Sequence, residues 1–443
     1  MQNHLVSNTI LILLGLVLGL ILTFISPILV LIVVIGFVAF SLVFTNIDLG
    51  ITIVALAGVL PSLARAVGPV IVPLVDVVMI VIFIPWVLKT LLYRDKIKWP
   101  SLNSASIVLL IAMIISAINA VRLDMSIKEI AQYCVFAFLY STVLFNNINN
   151  TKIINRMMNI LTTGTAILGG YAFMKFVQQG RAGLYILGLH KNALGGLLVL
   201  PLPFLYMRFI TTKKPIWFFL MLINGLGLMA SLSRGAWVGG IVGTFLVALL
   251  FGKKELKRYV LVVIIAALAF FVLVPKGAKE MATSSRTLDE REVYWSIAIE
   301  GFLAKPITGW GYGNFLIVSR RYIGDRPIWL VSEDPHNVYL RFATEMGVVG
   351  LLAFSFFIFF VFYRLISNVR KNIHIEKKVL VIGLTGSLIA YFVHGFFDVF
   401  WVRGTGSLFW IFINLAFILI EKESLKINSM SCVNEKELAQ SLR

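Results

Sequence analysis

The sequence is poor in charge: only 14% of its 443 residues are Asp, Glu, Lys or Arg, whereas 59% are hydrophobic. Such a chain has too little polar surface to cover a water-soluble globule. Its long apolar runs are continuous, as in VIVPLVDVVMIVIFIPWVL, and do not alternate between apolar and polar residues as the strands of a membrane β-barrel do. We therefore expect an all-α, polytopic membrane protein.

Cysteine and histidine are also scarce. The two cysteines, Cys134 in a predicted span and Cys432 in the C-terminal tail, cannot build a disulfide framework or a thiolate metal site. The five histidines are scattered, and none forms a ligand pair at helical spacing. The sequence thus predicts no metal and no cofactor.

The first apolar run lacks a basic n-region and a small-residue cleavage site, which favours a retained span over a signal peptide.

The apolar runs predict 12–14 transmembrane helices, near residues 8–25, 27–44, 49–63, 69–93, 104–121, 127–146, 153–177, 189–210, 215–232, 235–251, 258–275, 337–363, 378–397 and 405–421. In strict alternation the joints rich in Lys and Arg share one face, which the positive-inside rule makes cytoplasmic. These joints are 93–99, 211–216, 252–258 and 364–378. Both termini are then expected in the cytoplasm.

The net charge of +18 is explained by these joints, which would meet anionic membrane lipids. Nucleic-acid binding is a poor interpretation, because the charge is scattered over short joints with no soluble domain to present it.

Five segments follow from this topology: N-terminal transmembrane helices at 1–188, transmembrane helices with the HKN and SRGAW elements at 189–275, an external loop at 276–335, C-terminal transmembrane helices at 336–421, and a cytoplasmic tail at 422–443. The external loop is long enough to fold as a partly helical cap. Its helix would be capped by Thr287 or Asp289, end at Pro306, and be followed by a tight turn rich in glycine.

One arginine, Arg234, lies at an outer joint, where the inside bias argues against a spare positive charge. It could snorkel to lipid phosphates at the interface. Alternatively, Ser233 and Arg234 bind an anion, because a helix start offers free N–H groups and a favourable dipole. A guanidinium fork suits a diphosphate better than an ammonium does.

A second group of polar residues lies in SEDPHNVYLRFATEMG, at 332–347. We expect His336 near a helix N-terminus, where a lowered pKa would keep the imidazole neutral and able to take a proton. The alternative is a histidine that caps the helix. Asn337, Arg341 and Glu345 share one helix face, and the last two are expected to form an ion pair. His190, Lys191 and Asn192 open a span, where we expect a plain interfacial anchor, with a contact to substrate as the other role.

Several short motifs occur in a fixed order between residues 188 and 352. They are SRGAW at 233–237, R-x-x-x-W at 291–295, P-x-x-G-x-G-x-G at 306–313, PHNVYL at 335–340 and E-x-G-x-x-G at 345–350. With this order and topology the chain resembles the O-antigen ligase and polymerase superfamily of bacterial envelope glycosyltransferases. The resemblance implies an inverting, metal-independent transfer of a glycan from undecaprenyl diphosphate to an acceptor sugar hydroxyl. It also implies that Arg234 and Arg291 contact the diphosphate and that His336 is the essential loop histidine.

The predicted site therefore has His336, Arg234 and Arg291 as catalytic residues, on the outer face of the bacterial cytoplasmic membrane. The predicted substrate contacts are Ser233, Lys191, Asn192, Asn337, Glu345, Trp310 and Tyr312. The last two offer aromatic faces for sugars, as do Tyr322 and Trp329. The expected partners are the lipid-linked glycan donor, an acceptor glycan and membrane lipids.

Other functions remain open from sequence. A transporter or flippase for lipid-linked polysaccharide would predict repeated halves and ionisable groups at mid-membrane, for which Asp76 is the main candidate. A structural scaffold would need no outer arginines beside a histidine. Hydrolysis of the glycan–lipid bond, with water as the acceptor, is chemically close to transfer.

Overall fold

The computed structural model describes Gly15 and residues 36–38, 40–60, 64–67, 70–179, 185–186, 189–273, 286–370, 374–399 and 406–422. The predicted span 8–25, most of 27–44, the beginning of the external loop and the tail with Cys432 lie outside the described residues.

The described residues form helices and two short hairpins. The first half contains α1 (Ile47–Gly58), β1 (Ala64–Val67), β2 (Val70–Pro73), α2 (Leu74–Tyr93), α3 (Ser101–Ile118), α4 (Leu123–Cys134), a π-helical turn (Val135–Tyr140), α5 (Ser141–Asn147) and α6 (Thr151–Gln179). A second hairpin, β3 (Tyr185–Ile186) and β4 (Leu189–His190), leads into α7 (Lys191–Val199), α8 (Leu202–Thr212), α9 (Pro215–Ala230), α10 (Arg234–Leu250) and α11 (Lys253–Leu273). The strands of each hairpin are antiparallel, with Ala64 opposite Pro73 and Tyr185 opposite His190.

The rest of the chain starts with the segment predicted to be external, which contains α12 (Arg286–Ala304), α13 (Phe315–Tyr322) and a 3₁₀ turn (Ile328–Leu330). Three helices follow: α14 (Val338–Val369), α15 (Ile375–His394) and α16 (Gly406–Glu421). The segment is therefore partly helical, as predicted, and it has a small core of its own around Ile297, Phe315 and Val318. Its location outside the membrane stays a prediction.

In the described part of the chain, six helical stretches are long and apolar enough to cross a membrane. They are Leu74–Tyr93, Ser101–Ile118, Leu123–Asn147, Thr151–Gln179, Lys191–Thr212 and Val338–Val369. Shorter apolar helices include α1, α9, α10 and α16. The all-α polytopic membrane fold is confirmed, whereas the total of 12–14 spans stays a prediction.

Small residues let α10 and α15 approach each other closely. A Cβ on Gly239 would lie 2.4 Å from the carbonyl oxygen of Ala390, and one on Gly243 would lie 2.5 Å from that of Gly386. Only glycine leaves room for such contacts between helix backbones. This packing brings the beginning of α10, with Arg234, next to the end of α15, with His394.

The glycine-rich turn after α12 packs against a break in α14 and is hydrogen-bonded to it. Gly347 interrupts α14 with φ 64 and ψ −161, a conformation that only glycine adopts readily. Beside this break, the N–H of Val348 donates to the carbonyl of Pro306 at 2.8 Å and the N–H of Gly311 to that of Glu345 at 2.8 Å. The P-x-x-G-x-G-x-G and E-x-G-x-x-G motifs are therefore two halves of one structural joint.

Candidate functional site

Three basic side chains from three helices converge at one end of the bundle. Arg234 is the first residue of α10, Lys191 is the first of α7, and Arg291 lies in α12. Lys191 and Arg291 each interact electrostatically with Arg234 and with each other. The guanidinium carbon of Arg291 lies 5.9 Å from the centroid of the Phe397 ring. A Cβ added at Gly235 would lie only 2.3 Å from the Cβ of Phe397. The glycine of SRGAW thus makes room for Phe397 beneath the arginines.

Gathering like charges has an electrostatic cost. Burial lowers the pKa of Arg291, and so does Arg234, while Asp398 and Glu290 act in the opposite direction. An anion with two or more charges would relieve this repulsion and would also face the positive end of the α10 dipole. The arrangement is therefore suited to binding an anion.

His336 lies at the same end, immediately before α14. Its backbone is left-handed, with φ 50, and its N–H donates to the Asp334 carboxylate at 2.9 Å. Its side chain is 25% exposed, and its ring centroid lies 5.3 Å from that of Tyr294. Left-handed non-glycine residues are uncommon and concentrate at functional sites.

The cap of α14 is Asn337 and not His336. The Asn337 side-chain oxygen accepts hydrogen bonds from the N–H groups of Tyr339 and Leu340, both at 3.0 Å. The capping role considered for His336 is therefore wrong, and the buried Asn337 has a structural function whether or not it touches a substrate.

The lowered pKa expected for His336 is also wrong. Burial acts to lower the pKa of His336, but the hydrogen bond to Asp398 and the charges of Asp334 and Asp398 outweigh burial and raise it, even though Arg291 opposes them. The helix-dipole argument fails because two carboxylates lie beside the ring, with Nδ1 at 3.0 Å from Asp398 and 3.6 Å from Asp334.

Asp398 is the residue that the sequence interpretation missed. His336 Nδ1–H donates to the Asp398 carboxylate at 3.0 Å, and the N–H of Val399 donates to the same oxygen at 2.8 Å. Burial would raise the pKa of the Asp398 carboxyl, but these bonds and the nearby histidines hold it well below its usual range. The only sequence signal was an acid near the outer end of a span. Its partner is 62 positions away, a separation at which no local pattern exists.

The remaining predicted residues near the cluster connect its helices. The Ser233 hydroxyl lies 3.3 Å from Nε2 of the buried His394, a contact that joins the beginning of α10 to the end of α15. His190 caps α7 by accepting the N–H of Asn192, which is itself buried. Lys191, between them, interacts electrostatically with both arginines.

The structure places Trp310, Tyr312 and Glu345 inside the protein. Tyr312 is 1% exposed and Trp310 is 5% exposed, and the Trp310 indole donates to the carbonyl of Gly301. Their rings are packing residues, which corrects the interpretation as open faces for sugar stacking. Glu345 accepts N–H groups from Gly313 and Phe315, so it too supports the turn. Its expected ion pair with Arg341 is confirmed at 3.0 Å.

Cation-ligand atoms are grouped at one place among the described residues. Asp334, His336 and Asp398 offer three such atoms within 4.8 Å of one another. Both carboxylates already accept N–H groups of His336, one from the backbone and one from the ring.

Comparison with known protein families gives one match: residues 218–355 fit the family model described as O-Antigen ligase. The matched residues include Arg234, Arg291 and His336, whereas Lys191 and Asp398 lie outside them. No curated protein matches the chain. Residues 218–355 therefore resemble an O-antigen ligase domain, which supports the resemblance to the O-antigen ligase and polymerase superfamily.

Proposed function

We propose that this protein transfers a glycan from undecaprenyl diphosphate to an acceptor sugar hydroxyl on the outer face of the bacterial cytoplasmic membrane. The observation that carries this proposal is the cluster of Lys191, Arg234 and Arg291 next to the Asp398–His336 pair. Within an O-antigen ligase domain, these residues supply the two functions that such a transfer needs. The cations would stabilise the leaving group, and the histidine would deprotonate the acceptor.

The cationic cluster acts on the leaving group. Breaking the bond between the sugar and the diphosphate builds negative charge on the departing oxygen, so fixed cations there stabilise the transition state more than the ground state. The arginines can bind phosphate oxygens through two N–H groups each, and Lys191 adds a point charge. The apolar helices that carry them would hold the polyprenyl tail.

The histidine acts on the acceptor. With its Nδ1–H donated to Asp398, His336 keeps Nε2 as the atom that can accept the proton of a sugar hydroxyl. Asp398 fixes the ring and stabilises the imidazolium that forms, as a carboxylate does behind other catalytic histidines. General-base catalysis of this kind contributes about 10²–10⁴-fold. A base and a leaving-group site suffice for a single displacement, which inverts the anomeric centre.

Transfer without a metal ion is part of the same proposal. A divalent cation on Asp334 and Asp398 would compete with His336 for both carboxylates. We therefore assign these acids to holding the histidine.

A lipid-linked glycan transporter is the second candidate. It is favoured by Asp76, a buried acid in α2 whose carboxylate accepts the Tyr140 hydroxyl at 3.0 Å, because ionisable groups inside membranes commonly mark transport paths.

The test is a product assay with purified full-length protein and lipid-linked oligosaccharide. A ladder of products from the donor alone would identify a polymerase, and product only after addition of a second acceptor would identify a ligase. Either result should persist in EDTA. Free glycan with no acceptor product would indicate a hydrolase, and no cleavage under any condition would favour the transporter.

A further inference from the structure

A cavity of about 770 Å³ lies between the ends of α3, α14 and α16. At its other end α3 meets the external segment, where the Asn119 side chain donates to the Thr308 hydroxyl. The cavity is therefore at the opposite end of these helices from His336 and the arginines. In the proposed orientation it opens at the cytoplasmic face.

The cavity wall contains buried polar atoms that lack partners. Asn103 is 2% exposed, yet neither its amide nitrogen nor its amide oxygen has a hydrogen-bond partner among the described residues. Nε of Arg364, on the facing helix, likewise has none there. Buried donors and acceptors are nearly always paired, so these unpaired groups on two lining residues point to a polar ligand.

The charges around the cavity favour a phosphate. Glu421 would repel an anion, but its carboxylate accepts the N–H and hydroxyl of Ser101 and the guanidinium of Arg364. The basic joint with Lys96 and Lys98 directly precedes Trp99 and Pro100 of the cavity lining and adds positive charge nearby.

The lining also continues into an apolar, lipid-facing path. Trp99 and Tyr363 are exposed at the cavity, in the position of an interfacial aromatic belt. One wall continues from Ile107 to the exposed Ile111 along α3, and the other from Tyr363 to the exposed Phe359 along α14. Since the two helices pack together and run antiparallel, both stripes lead from the cavity towards the membrane centre.

We propose that this cavity binds the headgroup of a phospholipid of the cytoplasmic leaflet, with the acyl chains along these two stripes. The phosphodiester accepts from Arg364 Nε and the Asn103 amide nitrogen, and a hydroxyl or ammonium of the headgroup donates to the Asn103 amide oxygen. Phosphatidylglycerol and phosphatidylethanolamine share this chemistry, whereas phosphatidylcholine has no donor to offer. The lipid ties together the ends of α3, α14 and α16, and the opposite end of α14 begins next to His336.

The test measures lipid retention by native mass spectrometry of the purified full chain, titrated separately with each of the three phospholipids. Wild type should retain one molecule of phosphatidylglycerol or phosphatidylethanolamine, and whichever is held more tightly identifies the lipid. Asn103→Leu removes the polar atoms at nearly constant volume, and Ser104→Trp fills the cavity from its exposed rim. Each variant should weaken lipid retention by at least about tenfold. For Asn103→Leu this is the effect expected from loss of a hydrogen bond to a charged group, and for Ser104→Trp the cause is the lost space.

The matched control is Thr163→Trp, which places the same bulk at an exposed position of α6. It should retain lipid as wild type does. Equal retention of phosphatidylcholine, or unchanged retention in Ser104→Trp, would overturn the proposal even if Asn103→Leu failed to fold. Glycan transfer is assayed separately, so its failure would leave this result intact.

Discussion

At the scale of single residues, the chemistry depends on neighbours that are distant in sequence. Asp398 raises the basicity of His336 from 62 positions away, and the SRGAW glycine makes room for Phe397 under Arg291. A motif residue such as His336 is recognisable by itself, but its protonation behaviour is set by residues that no motif contains.

Arg234 tests the leaving-group site. We expect Arg234→Ala to lower the rate of transfer by about 10²–10³, the loss typical of one missing transition-state donor. Arg234→Lys should recover only part of this rate, because lysine keeps the charge but loses the bidentate fork. The measurement is the initial rate at saturating donor, with size-exclusion profiles to show correct folding.

The matched control for Arg234 is Arg320→Ala, which removes an exposed arginine from α13. It should keep the wild-type rate. If Arg234→Ala also kept it, that arginine would be an interfacial anchor.

At the scale of elements, the break in α14 is a tightly constrained joint. A Cβ on Gly347 would lie 2.2 Å from the carbonyl oxygen of Ile307, and the backbone there has positive φ. We expect Gly347→Ala to destabilise the protein by about 2 kcal/mol or more, because strain and overlap add. The measurement is the thermal unfolding midpoint in detergent.

Gly225→Ala is the control for this prediction, since a Cβ there would meet nothing within 4 Å. It should leave the midpoint unchanged or raise it slightly, because alanine favours the helix. Equal midpoints for the two variants would show that the joint between the motifs is not constrained.

Helices were the part of the fold that sequence predicted well. The predicted spans 104–121, 153–177 and 235–251 agree with α3, α6 and α10 to within a few residues, because apolar length marks a span directly. The site was predicted less completely. Burial of Trp310 and Tyr312 follows from how the glycine turn inserts beside α14, and the pKa of His336 follows from Asp398. Both depend on contacts across the fold, which periodicity does not encode.

At the scale of the whole molecule, the two ends of the bundle have different chemistry. One end carries the cationic cluster and the Asp398–His336 pair, and the other carries the polar cavity around Asn103 and Arg364. The membrane between them would keep the two sites in separate compartments.

Orientation is the prediction that belongs to this scale. A cysteine replacing the exposed Asp325 in the external segment should react with a membrane-impermeant maleimide in intact cells, whereas one replacing the exposed Lys254 should react only after the cells are opened. The natural cysteines would be replaced first. Labelling of the Lys254 position from outside would reverse the orientation and place the proposed active site in the cytoplasm.

The central claim is that His336, held by Asp398, is the base of a glycan transfer, and the pH dependence of the transfer rate tests it most directly. Because the neutral ring is the active form and the pKa of His336 is raised, the wild-type rate at saturating donor should rise with pH through an apparent pKa above 6.5. Asp398→Asn should move this step to lower pH and reduce the plateau. In His336→Asn, whose side chain tolerates the left-handed backbone, the step should vanish and the rate should fall by roughly 10²–10⁴. A His336→Asn protein with the wild-type rate and pH profile would contradict the account.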